Sequence, residues 1–438
     1  MRVEQALRLL PNLEALMPLR GLLLSSARPD ARVQWGSGGP YLTVGKRDVE
    51  PGELARSMGR VLTVVTEHIH ALFSAYIDAL ECQERNDVPG AVASLVGAGR
   101  LEETVARLSQ AHAWYEVALA LAEGLQDRRP EVETLLAIGD VALALGQYAE
   151  GARHYQRALV LAEAEFDRGK AVDASVGLGD AAFERAEWIG ARAWYSRALR
   201  LSEAANDRLR LGQIEHRLGL LDRREGDLAA AAEHLRRARE SFEGLEAAGT
   251  ARDMARVLDA QGELDAALGR PGPAAGAFRE ALAWVRRDQH DPALDVSIRL
   301  HLAELLLETG RWLEAEEEMR SAEQLAITSN QPRGLVRIYT ALGTLRGRQG
   351  DETGFVFFEQ AIALCRAFEG PAVDEARVLH AYGLFRQVSG SPDEARAHLE
   401  RARDIFRSLG VDVEVERVEA ALGGGTSHDV NTPAAGTG

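Results

Sequence analysis

The sequence predicts an all-α chain built as an array of about eight helix pairs. Three recurrences carry that expectation. A Gly returns at Gly99, Gly139, Gly179, Gly219, Gly262, Gly343 and Gly383, with Ala303 in its place once, at intervals of 40 to 43 residues. Seven residues after each comes a second small residue: Ala106, Gly146, Ala186, Gly226, Gly269, Gly310, Gly350 and Gly390. Later in each unit an Ala follows three residues after a large apolar residue, as in Tyr115–Ala118, Tyr155–Ala158, Tyr195–Ala198, Leu235–Ala238 and Phe278–Ala281. A fixed period of this length marks stacked supersecondary units rather than ordinary domains.

The elements follow in chain order. Residues 1–25 read as a helix broken at Pro11. Residues 32–45 read as a short β-hairpin, Val33–Trp35 and Tyr41–Val44 about a Gly-rich turn. Residues 53–83 place Met58, Val61, Leu62, Val65, Ile69 and Leu72 on one helical face. Together these make residues 1–90 an N-terminal cap. Residues 91–410 are the repeat array. In each unit the first small residue lets two helices approach closely. The second, before the second helix, takes the positive φ that ends the first. The unit at Gly343 is one residue short, so Phe358 and Ala361 fill its large and Ala positions. Ser391-Pro392-Asp393-Glu394 reads as an N-cap, a Pro at N1 and a capping-box Glu. Asp291-Pro292 opens the helix holding Leu300. Asn206 falls in an inter-repeat loop, where Asn206→Ala should be nearly neutral. Residues 411–422 form a closing helix, and the Gly/Thr/Pro-rich 423–438 a disordered tail. Since each unit should pack only on its neighbours, deleting the last unit should leave the others folded.

Composition narrows function. Lys+Arg 51 against Asp+Glu 67 gives a net charge of −16, which argues against a nucleic-acid or membrane-surface binder. The two cysteines, Cys82 and Cys365, lie far apart and suit reduced, buried thiols rather than a metal or disulfide framework. The N-terminus lacks a signal peptide's apolar core, and no stretch is long and apolar enough to span a bilayer, so a cytoplasmic protein is expected. Gly45-Lys46 fails as a phosphate loop, because Arg47 follows and Pro40 stands where its first Gly belongs. His68 and His70 are two apart and point away from each other on a helix, so they do not make a metal pair. No cofactor and no nucleophile signature is implied, and a non-enzymatic role is expected.

The frame small–x6–Gly–x–aromatic/Leu–x2–small–x3–aromatic–x2–Ala, seen as Gly139, Gly146, Tyr148, Gly151, Tyr155 and Ala158, resembles the tetratricopeptide repeat family. The family period is 34; this chain's is about 40, a long-helix variant. The resemblance implies a right-handed α-solenoid whose first helices line a concave groove, and a protein-interaction scaffold binding a peptide or protein segment there. A regulatory sensor of a peptide or signalling ligand, and a self-associating assembly subunit, are the alternatives. By 3–4–3 spacing, the groove-facing residues would be Glu133, Leu136 and Asp140 in the second unit, and Asp173, Val176, Asp180 and Phe183 in the third. His216 and Arg223 follow in the fourth, Arg256 and Glu263 in the fifth, then Arg337 and Arg377 in the last two. The strip runs from acidic to basic, and is either solvated surface or a binding strip. The acidic end would take a basic segment, and Asp140 and Asp180 reversed to Lys should leave stability unchanged. The carboxylate clamp of co-chaperone members and the Asn ladder of kinesin-light-chain-like members are both missing from these positions.

Overall fold

The protein is described by a computed structural model. It describes the backbone of residues 31–36, 39–44 and 47–49, parts of 71–82 and, apart from short connections, residues 85–423. The expectations for residues 1–25, most of the helix at 53–83, Lys46, His68, His70 and the tail beyond 423 lie outside them.

Strands β1 (Ala31–Gly36), β2 (Gly39–Val44) and β3 (Arg47–Val49) pair antiparallel, with Ala31 opposite Val44 and Leu42 opposite Val49. From Val88 onward the described regular structure is helical. The first pair is α1 (Val88–Thr104) and α2 (Leu108–Ala122). The second is α3 (Arg129–Ala144) and α4 (Tyr148–Ala164), and the third α5 (Arg168–Glu184) and α6 (Trp188–Ala205). The fourth is α7 (Arg208–Glu225) and α8 (Leu228–Phe242), the fifth α9 (Thr250–Ala267) and α10 (Pro271–Val285). Then come α11 (Pro292–Glu308) with α12 (Trp312–Thr328), α13 (Pro332–Arg348) with α14 (Phe355–Ala367), and α15 (Ala372–Val388) with α16 (Pro392–Ser408). Helix α17 (Asp412–Leu422) follows the eighth pair. The chain divides into two compact units: residues 1–104 with 109–130, and 131–438 with 105–108. The first pair therefore groups with the N-terminal segment, and pairs two to eight form the second unit.

The recurrent small residues act as the spacing implies. A Cβ at Gly139 would stand 2.5 Å from the Tyr155 ring, one at Gly179 2.4 Å from Tyr195, and one at Gly262 2.5 Å from Phe278. In these pairs the ring of the second helix therefore lies flush on the first. Tyr155 is held from two sides, because a Cβ at Gly177, in the next pair, would also fall 2.5 Å from it. The turn residues are left-handed: Gly146, Gly226, Gly269, Gly310, Gly350 and Gly390 all have φ between 69° and 87°, and Ala186 has φ 59°. Asp291 accepts from the backbone N–H groups of Ala293 and Leu294, the cap expected there.

Three sequence expectations change, and the short seventh unit finds its cause. Ser391 is the N-cap of α16 but makes no side-chain cap bond, and Glu394 instead pairs with Arg386 at 3.0 Å. The short seventh unit is absorbed by a 3₁₀ turn, Glu352–Gly354, ahead of α14. A 3₁₀ turn rises about 2.0 Å per residue against about 1.5 Å in an α-helix, so it spans the gap with one residue fewer. Asn206 does lie in a loop, but at φ 54°, which most side chains resist. Finally, units do not pack only on sequence neighbours. Tyr148 at the start of α4 is buried in one apolar cluster with Val336, Val373, Phe406 and Val411, and Leu143 packs there beside Leu409. The second unit of the chain thus curls back until pair two meets pairs seven and eight.

Candidate functional site

The curl brings first helices from distant pairs around common cavities. One of about 540 Å³ is lined by Leu143, Ala144 and Tyr148 of pair two, Asp180, Phe183, Glu184 and Tyr195 of pair three, and His216, Arg217 and Leu220 of pair four. Arg256 of pair five, Arg333 of pair seven, and Val373 and Arg377 of pair eight complete it. A smaller cavity of about 200 Å³ adjoins it, lined by Asp140, Asp173, Val176, Asp180 and Arg217 among others. A third, of about 400 Å³, includes Glu304, Arg337, Thr340 and Arg377. Asp180 and Arg217 line the first two cavities and Arg377 the first and third, so the three form one trough along the first helices.

Nine of the residues singled out by spacing line that trough: Asp140, Asp173, Val176, Asp180, Phe183, His216, Arg256, Arg337 and Arg377. Leu136 is buried instead. Glu133 faces Lys170 at 3.5 Å, and Arg223 pairs with Glu263 at 3.0 Å, all away from the lining.

The charges are not free, which the sequence did not reveal. The Tyr155 hydroxyl donates to Asp140 at 2.6 Å, and the Tyr195 hydroxyl to Asp180 at 2.7 Å. Burial raises both phenol pKa values, and the neighbouring aspartates raise them further, so both stay protonated donors. Arg217 of the next pair donates through Nε to Asp180 at 2.8 Å, and Arg210 likewise to Asp173 at 3.0 Å. The ladder continues with Gln213 to Asp253 at 2.7 Å, Arg333 to Asp374 at 3.0 Å, and Arg337 to Ser297 at 3.0 Å. Each rung links residues roughly one repeat apart. Asp140 and Asp180 are therefore hydrogen-bond acceptors within the fold rather than solvated surface charges, and reversing Asp180 is expected to cost stability.

Asp259, Glu263 and His301 bring one ligand atom each within 4.8 Å of one another. They belong to the same ladder: His301 Nδ1 lies 2.8 Å from Asp259, Glu263 holds Arg223, and Arg337 Nη2 lies 3.4 Å from His301 Nε2. Two guanidinium groups beside the cluster disfavour a cation there. His216 keeps part of its surface on the main cavity but is surrounded by protein, and burial pushes its pKa down to about 3. It is a neutral ring at physiological pH. Burial likewise raises the Glu184 carboxyl and lowers the Arg256 guanidinium.

Sequence reasoning missed Tyr148, Glu184, Arg217 and Arg333. Tyr148 sits on a second helix and reaches the trough only because the unit curls back. Arg217, two residues before Gly219, and Arg333, four before Arg337, do share the helical stripe of the chosen residues, and a wider stripe would have included them.

No family model and no curated protein matches the sequence. Solved structures do resemble the fold. A Rap protein complexed with competence and sporulation factor is similar at a TM-score of 0.56 and 16% identity, over 78% of this chain and 98% of that one. NprR in complex with its cognate peptide NprX is similar at 0.51 and 12%, over 78% and 98%. Identities this low speak to architecture alone. With the repeat frame, the stacked Gly–ring contacts and these likenesses, the helical part of the chain has a helix-pair solenoid fold of the tetratricopeptide-repeat type.

Proposed function

We propose that the chain is a non-enzymatic, peptide-binding regulator or adaptor, with an extended peptide lying in the trough of pairs two to eight. The carrying observation is the main cavity, to which six helix pairs contribute side chains. Its volume falls within the range of about 300–1,000 Å³ usual for ligand sites. A cavity assembled from both ends of a curled array is complete only while the curl is closed. A ligand touching α5 and α15 together then shifts the balance between closed and open forms, which favours a sensor over a passive scaffold. That NprR was solved with a cognate peptide supports the same reading. The N-terminal segment with its sheet is read as a cap, and the cytoplasm as the compartment. Among the described residues no helix is long and apolar enough to cross a membrane. The basic partner suggested by Asp140, Asp173 and Asp180 has weaker support, since these carboxylates already accept hydrogen bonds from Tyr155, Arg210, Tyr195 and Arg217.

Peptide-display selection against the full chain, with bound peptides located by photo-crosslinking, tests this. Crosslinks to α5, α7 and α15 are expected. Selection that enriches nothing, or crosslinks confined to residues away from the trough, would remove the reading.

A further inference from the structure

We infer that the main cavity recognises a carboxylate set beside an apolar side chain of its peptide ligand, with Arg256 and Arg377 as the receiving cations; this rests on the peptide-binding reading above.

The cations of the cavity differ in what already holds them. Four arginines line the cavity in a chain of net charge −16. Arg217 is spent on Asp180, with Nε at 2.8 Å, and Arg333 on Asp374, with Nε at 3.0 Å. Arg256 and Arg377 are different. Arg256 Nη1 stands 3.7 Å from Asp253, and Arg377 Nη1 3.8 Å from Asp374, both beyond hydrogen-bond reach. Both approaches are within their own helix, three residues apart, so neither ties one pair to the next. Each guanidinium therefore keeps its fork of N–H donors, whose geometry matches a carboxylate. Among the described residues Glu184, a second carboxylate on this wall, makes no hydrogen bond or ion pair; burial raises its carboxyl while the nearby Arg377 charge opposes that rise, and no bond between them uses the guanidinium's donors.

The remaining wall is apolar. Leu143, Phe183, Leu220 and Val373 face the same space. A low-polarity wall strengthens an ion pair formed against it, and supplies the contact for a side chain next to the carboxylate. A basic ligand meets the opposite situation: of the two carboxylates on this wall, Asp180 is held by Tyr195 and Arg217, and burial raises Glu184 towards its neutral form beside the Arg377 charge.

Four pools of random heptapeptides test the inference on the full chain by fluorescence polarisation. The first has one fixed Glu and an amidated C-terminus. The second has no acidic side chain and a free C-terminal carboxylate. The third has neither, and the fourth has one fixed Lys and an amidated end. The first or second pool should bind at least about tenfold more tightly than the third and fourth, and which one does so tells a side-chain carboxylate from a terminal one. The double variant Arg256→Gln, Arg377→Gln should abolish that preference. Arg256→Lys with Arg377→Lys should restore part of it, and Arg403→Gln with Arg407→Gln on α16 should leave it intact. If the double Gln variant fails to fold, a salt titration of the parent decides: affinity for the favoured pool should fall with added salt while that for the third does not. Equal binding of all pools, tighter binding of the Lys pool, or a preference that survives the double Gln substitution or added salt overturns carboxylate recognition and leaves peptide binding standing. Binding of no pool overturns both.

Discussion

Pairs two and three and pairs seven and eight use the same repeat frame, yet they lock their helices differently. In the earlier pairs the large residue on the second helix is Tyr155 or Tyr195. Its ring covers Gly139 or Gly179, and its hydroxyl bonds the residue after that glycine, Asp140 or Asp180. In the later pairs the equivalents are Phe358 and Leu399, and the residues after the glycines are Thr344 and Leu384. Thr344 bonds back to the carbonyl of Thr340 in its own helix, and Phe358 stacks on Tyr382 with ring centroids 5.0 Å apart. The phenol–carboxylate clamp therefore sets a negative charge on the trough at one end. The apolar clamp sets no carboxylate at that position in the later pairs, where Asp374 is taken up by Arg333 and Arg377 retains donors. The acid-to-base gradient is a by-product of how two sets of helices are fastened, and the curl of the unit then sets those two ends face to face.

Removing residues 392–422 breaks the comparison most severely. If the ends truly meet, hydrogen exchange should accelerate in α3 and α4 as well as α15, because Tyr148 and Leu143 lose the cluster that holds Leu409 and Val411. Helices α9 to α12 should keep their protection. Exchange unchanged in α3 and α4 would show that the curl contributes nothing. The next largest effect is at the clamps. Tyr195→Ala should cost about 3–5 kcal/mol, as for other large buried rings. Tyr195→Phe should cost about 1 kcal/mol, the net worth of one hydrogen bond. A null effect of the Phe variant in urea unfolding would reduce the clamp to its ring alone.

Charge reversal sharpens the contrast. Asp180→Lys removes the acceptor of Tyr195 and sets like charge against Arg217, so a loss of about 2 kcal/mol is expected. Arg377→Glu, at a half-exposed side chain, should stay within about 0.5 kcal/mol. Equal melting shifts would erase the distinction between charges fastened by hydrogen bonds and those held only by a loose ion pair.

His216 adds a pH dependence of similar size. Its ordinary pKa is 6.5 and burial brings the folded value to about 3, so the folded state resists taking up a proton that the unfolded state accepts. Stability is full above 6.5 and is lost as pH falls towards 3, by about 2 kcal/mol at pH 5. His301 works in the other sense, since Asp259 raises it against the opposing effect of burial; its contribution is present below 6.5 and fades as pH rises through its folded value. Denaturant curves of the parent and His216→Gln at pH 7 and 5 separate the two, and the variant should lose less on acidification. The smallest effects belong to the left-handed turns. Asn206→Ala should destabilise by about 1 kcal/mol and Ala186→Gly should stabilise by a similar amount, because a Cβ at positive φ is resisted and Asn tolerates it better than Ala. Melting temperatures that move the other way would show those turns to be relaxed.

The repeat was readable from residue identity alone, because close packing of a ring on a helix leaves room for nothing larger than Gly, and because a turn at positive φ selects Gly. Those constraints are local and recur, so the sequence by itself determined the helix pairs, their repeat frame and the stripe holding Asp140, Asp180, His216 and Arg377. It could not say whether those charges were free. Each partner lies roughly one repeat away, and pairing depends on the angle between successive units, which no spacing within one helix encodes. The closure of the second unit is more remote still: it rests on Tyr148 meeting Val373 and Val411, more than 220 residues along the chain. Small rotations at each of seven pairs add up to bring them together. Only the tertiary structure decided that sum, and with it which two arginines were left with donors to offer.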